Sequence, residues 1–187
     1  MYYKHRALPS ARRWRQGKNC AILQPKRRHC AGEKGLCMTA EFEPIGTVKN
    51  AVTEKRDTGW GQQVSRIVLQ PEYAGGLLGL GEFSHALVLC WLHEAHYETE
   101  KHLCRRPQGR AELAPVGIFA QRTKDRPCPI GVTAVQIVAV EETVLTVRGL
   151  DAINGTPVLD IKPYFPAFDR RDATVPAWVH VLMDPYF

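Results

Sequence analysis

From residue 43 onward the apolar residues arrive in runs of strand length separated by turn-forming residues, and that spacing constrains the fold more than any other feature. The runs PIGTVKN (44–50), VSRIVLQ (64–70), HALVLCWLH (85–93) and VGIFA (116–120) each have the length of a strand. TAVQIVAV (133–140) and TVLTVRGL (143–150), separated by Glu141 and Glu142, read as a hairpin, and PVLDI follows the turn NGT. Helix signals are confined to 71–80 and to 176–183, the latter with proline at its first turn. Many short strands with few helices predict a mainly β fold, a small antiparallel barrel with short helices, because closing the sheet removes its exposed edges. The segment GGLLGLG (75–81) lacks the third glycine of a dinucleotide fingerprint and the flanking strand and helix, so it reads as a flexible connection and the fold as non-Rossmann.

Charge divides the chain in two. Residues 1–37 hold ten Lys or Arg against Glu33 alone, while 38–187 hold fifteen basic and eighteen acidic residues, so the excess behind the overall +6 lies in the N-terminal stretch. That stretch has little apolar periodicity, and residues 1–37 are expected to be a disordered basic tail ahead of a domain over 38–187. Three readings of it stand side by side: an arm that holds RNA, an Arg-rich targeting segment, or sequence upstream of a true start at Met38. No apolar run approaches the roughly 18 residues of a membrane span. The six cysteines form no CxxC pair and read as reduced thiols of a cytoplasmic protein.

Three further stretches carry chemistry. HEAH (93–96) sets its histidines three apart, not at the four-residue spacing that joins two ligands on one helical face, so no metal site is expected. In RTKDRPCPIG (122–131), prolines flank Cys128, and Arg122, Lys124 and Arg126 occupy alternate positions, which on an extended backbone share one face. Such a stripe is either a solvated edge or, with Arg105, Arg106, Arg110 and Lys162, a surface for an anionic ligand such as an RNA backbone. NGTPVLDIKPYFP (154–166) sets Asp160, Lys162 and Tyr164 on alternate positions just before prolines end regular structure. These are either the rim of a site or a structural ion pair with an accompanying phenol.

FSHALVLCWLH (83–93), VGIFAQRTKDRPCPIGVTAV (116–135) and GLDAINGTPVLDIKPYFPAFD (149–169) resemble, in order and spacing, the signature blocks of the TsaA-like (TrmO) family. The resemblance implies a small β-barrel that binds S-adenosyl-L-methionine near a homodimer interface and methylates N6 of threonylcarbamoyladenosine beside the anticodon of tRNA. By matching positions it implies a cofactor pocket of Thr58, Gly59, Trp60, Leu92, His93, Arg122, Val132, Leu150 and Asp151. The family's loop asparagine is Cys128 here, and the aspartate before Gly-Thr-Pro is Asn154. The chain ends at Phe187, short of the additional C-terminal domain that some bacterial members carry.

Methyl transfer from a sulfonium is an in-line displacement, so alignment and charge stabilisation are the protein's main tasks. An adenine N6 must lose a proton, which Asp160 or Tyr164 could accept while Lys162, Arg126 or Lys124 holds an anionic group of the substrate. Two alternatives remain open on sequence: the same cofactor with a small-molecule acceptor, and a noncatalytic module that binds the cofactor.

Overall fold

The computed structural model describes residues 41–187, so the expectations for the tail over 1–37 lie outside the described residues. Strands β1 (Gly46–Lys49), β2 (Val64–Leu69), β3 (His85–Trp91), β6 (Ile130–Val140), β7 (Val144–Arg148) and β8 (Pro157–Pro163) close into an antiparallel barrel in the order β1-β2-β7-β6-β3-β8. The expected mainly β barrel is therefore present, and the hairpin at Glu141 and Glu142 is closed by the Glu141 N–H donating to the Val144 carbonyl (2.8 Å). VGIFA differs from its expectation. Only Val116–Gly117 (β5) is extended, paired with Cys104–Arg105 (β4) in a separate ribbon, and the chain then turns through Ile118–Ala120. The 71–80 helix also differs: Pro71–Leu77 is a 3-10 segment, because two glycines in PEYAGGL give a longer helix little intrinsic support. Helices α1 (Thr99–His102) and α2 (Pro166–Asp169) are single turns, and α3 (Ala177–Met183) fulfils the C-terminal helix signal.

Alternation decides what fills the barrel. Val48, Ile67, Leu69, Ala86, Val88, Cys90, Val135, Leu145, Val147 and Val158 point inward and pack as one core with Leu77, Leu80, Leu150 and Ala152. Each fully buried Val, Leu or Ile contributes about 1.5–3 kcal/mol of transfer free energy. Two bulges adjust the phase. Between β6 and β7 the partners step from Ile137↔Val147 to Ala139↔Thr146, leaving Val138 half-exposed. Between β3 and β8 they step from Cys90↔Val158 to Leu89↔Asp160. The extra residue, Leu159, turns Asp160 and Lys162 outward while Val158 and Ile161 both reach the core.

The barrel closes where β1 meets β8, over the pairs Gly46↔Val158 and Thr47↔Pro157. Three further backbone bonds extend this seam: Ile45 N–H to Val158 O (2.8 Å), Val48 N–H to Thr156 O (2.9 Å) and Gly155 N–H to Val48 O (2.8 Å). At this corner a Cβ on Gly46 would lie 2.5 Å from the Val68 carbonyl oxygen and 3.0 Å from the Leu69 Cα. Both atoms belong to β2, on the other side of β1 from the seam, and backbone atoms cannot retreat as a side chain can, so the β1–β2 pairing at this corner requires glycine. Gly46→Ala is expected to lower stability by about 1–3 kcal/mol, the usual range for overpacking. Urea titration should show a reduced midpoint with an unchanged slope. Gly76→Ala, where nothing lies within 4 Å of the added carbon, should stay within about 0.5 kcal/mol.

Candidate cofactor site

The four stretches that contribute the expected cofactor residues meet at one rim of the barrel. β3 ends at Trp91 opposite the start of β6 at Ile130, and β2 begins at Val64 opposite the end of β7 at Arg148. Beyond β3, the Leu92 N–H donates to Pro129 O (2.8 Å) and the Leu92 side chain fills the space above Gly131, where a Cβ would come within 3.1 Å of it. His93 is exposed in the same turn. The Arg122 guanidinium donates to the Val132 carbonyl, pinning the arginine to the first residues of β6. After β7, Gly149 (φ 88°) turns the chain so that Leu150 is buried beneath the rim and Asp151 stands upon it. A left-handed φ of this size strains any residue with a Cβ.

Asp151 is held from two sides. The Thr133 hydroxyl, on the inner face of β6, donates to Oδ1, and the Tyr186 phenol donates to Oδ2 at 2.9 Å. Burial, reinforced by the charges of Asp151 and Asp57 and opposed by Arg122, pushes the Tyr186 phenol well above its ordinary range, so it remains a donor. The opposite wall is the 56–61 loop. Gly59 and Trp60 donate backbone N–H groups to Pro185 O (3.1 Å) and Tyr186 O (2.9 Å), and Thr58 is exposed beside them. Trp60 is only 3% exposed, with its indole N–H on Arg56 O (3.2 Å) and the Arg56 guanidinium 4.4 Å from the ring centroid. Its ring is therefore packing under the wall, and the loop offers its backbone and Thr58 to the open side. Lys55 ties this loop to the turn after β3 through Glu94 O (2.9 Å) and Glu94 Oε2 (3.2 Å).

This donor set suits S-adenosyl-L-methionine. Asp151 can accept hydroxyl or ammonium protons, Arg122 can face a carboxylate with the N–H groups not used on Val132, and Leu92 and Val132 offer apolar surface. Among the described residues, no group of three His, Cys, Asp or Glu is placed to hold a metal ion.

The other expected site residues lie elsewhere. Asp160 faces Leu89 on the outer wall, roughly three residues or about 10 Å along β3 from Leu92. Lys162 sits 2.6 Å from it, both groups about half exposed (57% and 43%), a pair worth about 0–1 kcal/mol. Tyr164 donates its N–H to His85 O (3.1 Å), and its ring lies 6.3 Å from the His85 ring, at the far end of β3 and roughly 23 Å from Leu92. A cleft of about 540 Å³ opens beside that far rim, lined by Ile45, Tyr73, Leu77, Phe83, Asp160 and Pro163, so it is separate from the Asp151 cluster. The stripe of Arg122, Lys124 and Arg126 does not form as an extended face. Asp125 accepts the His96 N–H (3.0 Å) and draws Lys124 (3.9 Å) and Arg105 (4.0 Å), while Arg126 folds back onto Gln121 O (3.1 Å).

Three residues of the rim escaped the sequence reading. Thr133 is a lone hydroxyl in the inward series Thr133, Val135, Ile137, and that misfit was a usable signal. Asn50 bridges Ser65 Oγ (2.9 Å) and Ala152 O (2.8 Å) with its amide and accepts the Val52 N–H (3.0 Å), joining three segments beneath the site. Asn154 accepts the Asn50 N–H (3.3 Å), so the amide at this departure from the family pattern still serves as an acceptor. Tyr186 lies beyond the resemblance, and no local pattern marks it.

The barrel and its rim define a non-Rossmann, cofactor-binding domain of the TrmO type. Residues 51–170 match the model of the tRNA-methyltransferase O N-terminal domain, and the chain belongs to that family. It is 36% identical over 137 residues to a probable S-adenosyl-L-methionine-binding protein of Methanothermobacter thermautotrophicus, covering 71% of this chain and 95% of that one. It is 32% identical over 139 residues to the tRNA (adenine(37)-N6)-methyltransferase of Escherichia coli, covering 67% of this chain but 58% of the enzyme. The crystal structure of TrmO from Pseudomonas aeruginosa superposes with a TM-score of 0.59 at 28% identity, over 75% of this chain and 62% of that one. The chain thus spans nearly all of the archaeal relative and about three fifths of the bacterial proteins.

The cysteines report on the barrel wall beside the site. Cys90 is buried on the inner face of β3, where burial and then the nearby Asp151 charge push its thiol up to about 12, whereas Cys104 and Cys128 are exposed. Iodoacetamide at pH 8 should modify Cys104 and Cys128 and spare Cys90 until denaturant is added, as read by peptide mass mapping. Labelling of Cys90 at a comparable rate in the native protein would mean that the wall opens.

Proposed function

We propose that the chain is an S-adenosyl-L-methionine-dependent methyltransferase that modifies N6 of adenosine in tRNA, with threonylcarbamoyladenosine next to the anticodon as its substrate. The observation that carries this reading is the convergence of Leu92, Arg122, Val132 and Asp151 on one rim of a barrel of this family. Relatives named tRNA (adenine(37)-N6)-methyltransferase and S-adenosyl-L-methionine-binding protein support it. The cofactor supplies a methyl group activated by a sulfonium for in-line displacement. Thr58, Gly59, Trp60, Leu92, His93, Arg122, Val132, Leu150 and Asp151 form its pocket, with Arg122 facing the amino-acid end. Asp160 accepts the proton that leaves N6. Its exposed pairing with Lys162 is weak enough to open, freeing the ammonium for a substrate anion. Arg126 and Lys124 line the approach of the RNA.

Asp160 and Lys162 stand partway along β3 and Tyr164 a full strand from the cofactor rim, too far to act with it inside one barrel. In this reading two copies pair with the cofactor near their interface, so that the Tyr164 rim of one faces the cofactor rim of the other. Exposed Leu78 (93%), Phe119 (79%) and Phe168 (73%) supply apolar surface for such pairing. Among the described residues no helix is long and apolar enough to cross a membrane, and the proposed site of action is the cytoplasm.

Calorimetric titration of the full chain with S-adenosyl-L-methionine should show binding that falls at least tenfold in Arg122→Ala, the loss expected for about 1.4 kcal/mol or more of charge-assisted contact. Labelled methyl should pass to total tRNA from cells lacking the modification. Transfer to a small-molecule pool without RNA would overturn the substrate assignment, and binding without any transfer would overturn the enzymatic one. Mixing Arg122→Ala with Tyr164→Phe, each impaired alone, should raise activity above either variant by itself if the site is shared between two copies. No recovery in a verified mixed dimer would exclude sharing.

A further inference from the structure

We propose that Tyr186 is a positioning residue of the cofactor site, which with Thr133 holds the Asp151 carboxylate so that it accepts both hydroxyls of a ribose diol. This inference rests on the cofactor reading given above and adds to it a residue outside the family match, which ends at residue 170.

The segment from Pro185 to Phe187 is built into the rim. Its carbonyls at Pro185 and Tyr186 take the N–H groups of Gly59 and Trp60. Gly61 leaves room for Phe187, since a Cβ there would lie 2.7 Å from the Phe187 carbonyl carbon. The Tyr186 and Phe187 rings stack edge to face at 5.0 Å. These contacts leave the phenol one direction of reach, towards Asp151 Oδ2 at 2.9 Å.

Lone-pair counting then defines what Asp151 can do. Each carboxylate oxygen has two acceptor positions. Thr133 fills one on Oδ1 and Tyr186 fills one on Oδ2, leaving one on each oxygen. Two donors on neighbouring carbons, such as the 2′ and 3′ hydroxyls of a ribose, match that remaining pair. Thr133 is fixed by the barrel wall and Tyr186 by the loop, so the carboxylate is clamped from both sides before any ligand arrives, and ordering it costs little on binding. The charges of Arg122 and Asp57 act on the Tyr186 phenol, and the Cys90 thiol lies near Asp151. None of these duplicates the phenol's bond to Oδ2.

The test uses the full chain and two probes, S-adenosylhomocysteine and its 3′-deoxy analogue, titrated calorimetrically into the wild type, Tyr186→Phe and Thr133→Val. The wild type should favour the ribose form by about tenfold. Both variants should narrow that preference to about threefold or less, mainly by weakening S-adenosylhomocysteine while the deoxy analogue changes little. Such coupling between a protein hydroxyl and a ligand hydroxyl is what a purely structural strap would not produce. Equal weakening of both probes in Tyr186→Phe, with thermal unfolding unchanged, would reduce the residue to a wall and overturn the proposal. Unchanged affinities for both probes would overturn it as well. Failure of the wild type to bind either probe would instead remove the cofactor reading on which it rests.

Discussion

Closure of the barrel rests on a short seam, and nearly everything functional hangs from it. β1 is four residues long and meets β8 over two residue pairs, and at Gly46, where this seam begins, the β2 backbone on the other side lies closer than a Cβ permits. With the seam formed, the turn at Asn154 and Gly155 docks on Val52 and Val48, which sets the direction in which Leu150 and Asp151 leave β7. Asn50, directly after β1, then fastens the same corner to Ser65 and Ala152. A few backbone bonds in the wall thus fix the height of Asp151 above the core.

β3 organises the chemistry along its length. Its inner face holds Ala86, Val88 and Cys90 in the core, while its two neighbours carry Val132 on one side and Asp160 on the other. The residues proposed to hold the cofactor gather where β3 ends, and the Tyr164 and His85 rings gather where it begins. A rigid strand keeps these two groups at a constant separation, so the cooperation proposed for them would need a second copy and not a flexing loop.

The sequence made the barrel legible because inward and outward residues alternate cleanly in β2 and β3, and in β7 from Leu145 onward. The proposed cofactor residues were legible only through block resemblance, since their meeting depends on strand order and no local spacing encodes it. VGIFA reads as a strand by composition, yet Ile118 turns inward alone and Phe119 faces solvent, so tertiary context overrode propensity. The basic stripe failed because one acidic residue, Asp125, curls its loop. Tyr186 was invisible, because an isolated tyrosine near a chain end signals nothing until the loop it pairs with is known.

The bulge at Leu159 also guards the assembly of the sheet. If β8 slid by one residue against β3, or lost its extra residue, the alternation would invert beyond Val158, and Asp160 and Lys162 would point into the core in place of Ile161. Burying two ions there costs several kcal/mol each, far more than the misaligned ladder could return. The charges that face solvent in the native barrel are therefore a lock on strand register. They make the one-residue slip, the nearest competitor of the folded sheet, too unfavourable to persist.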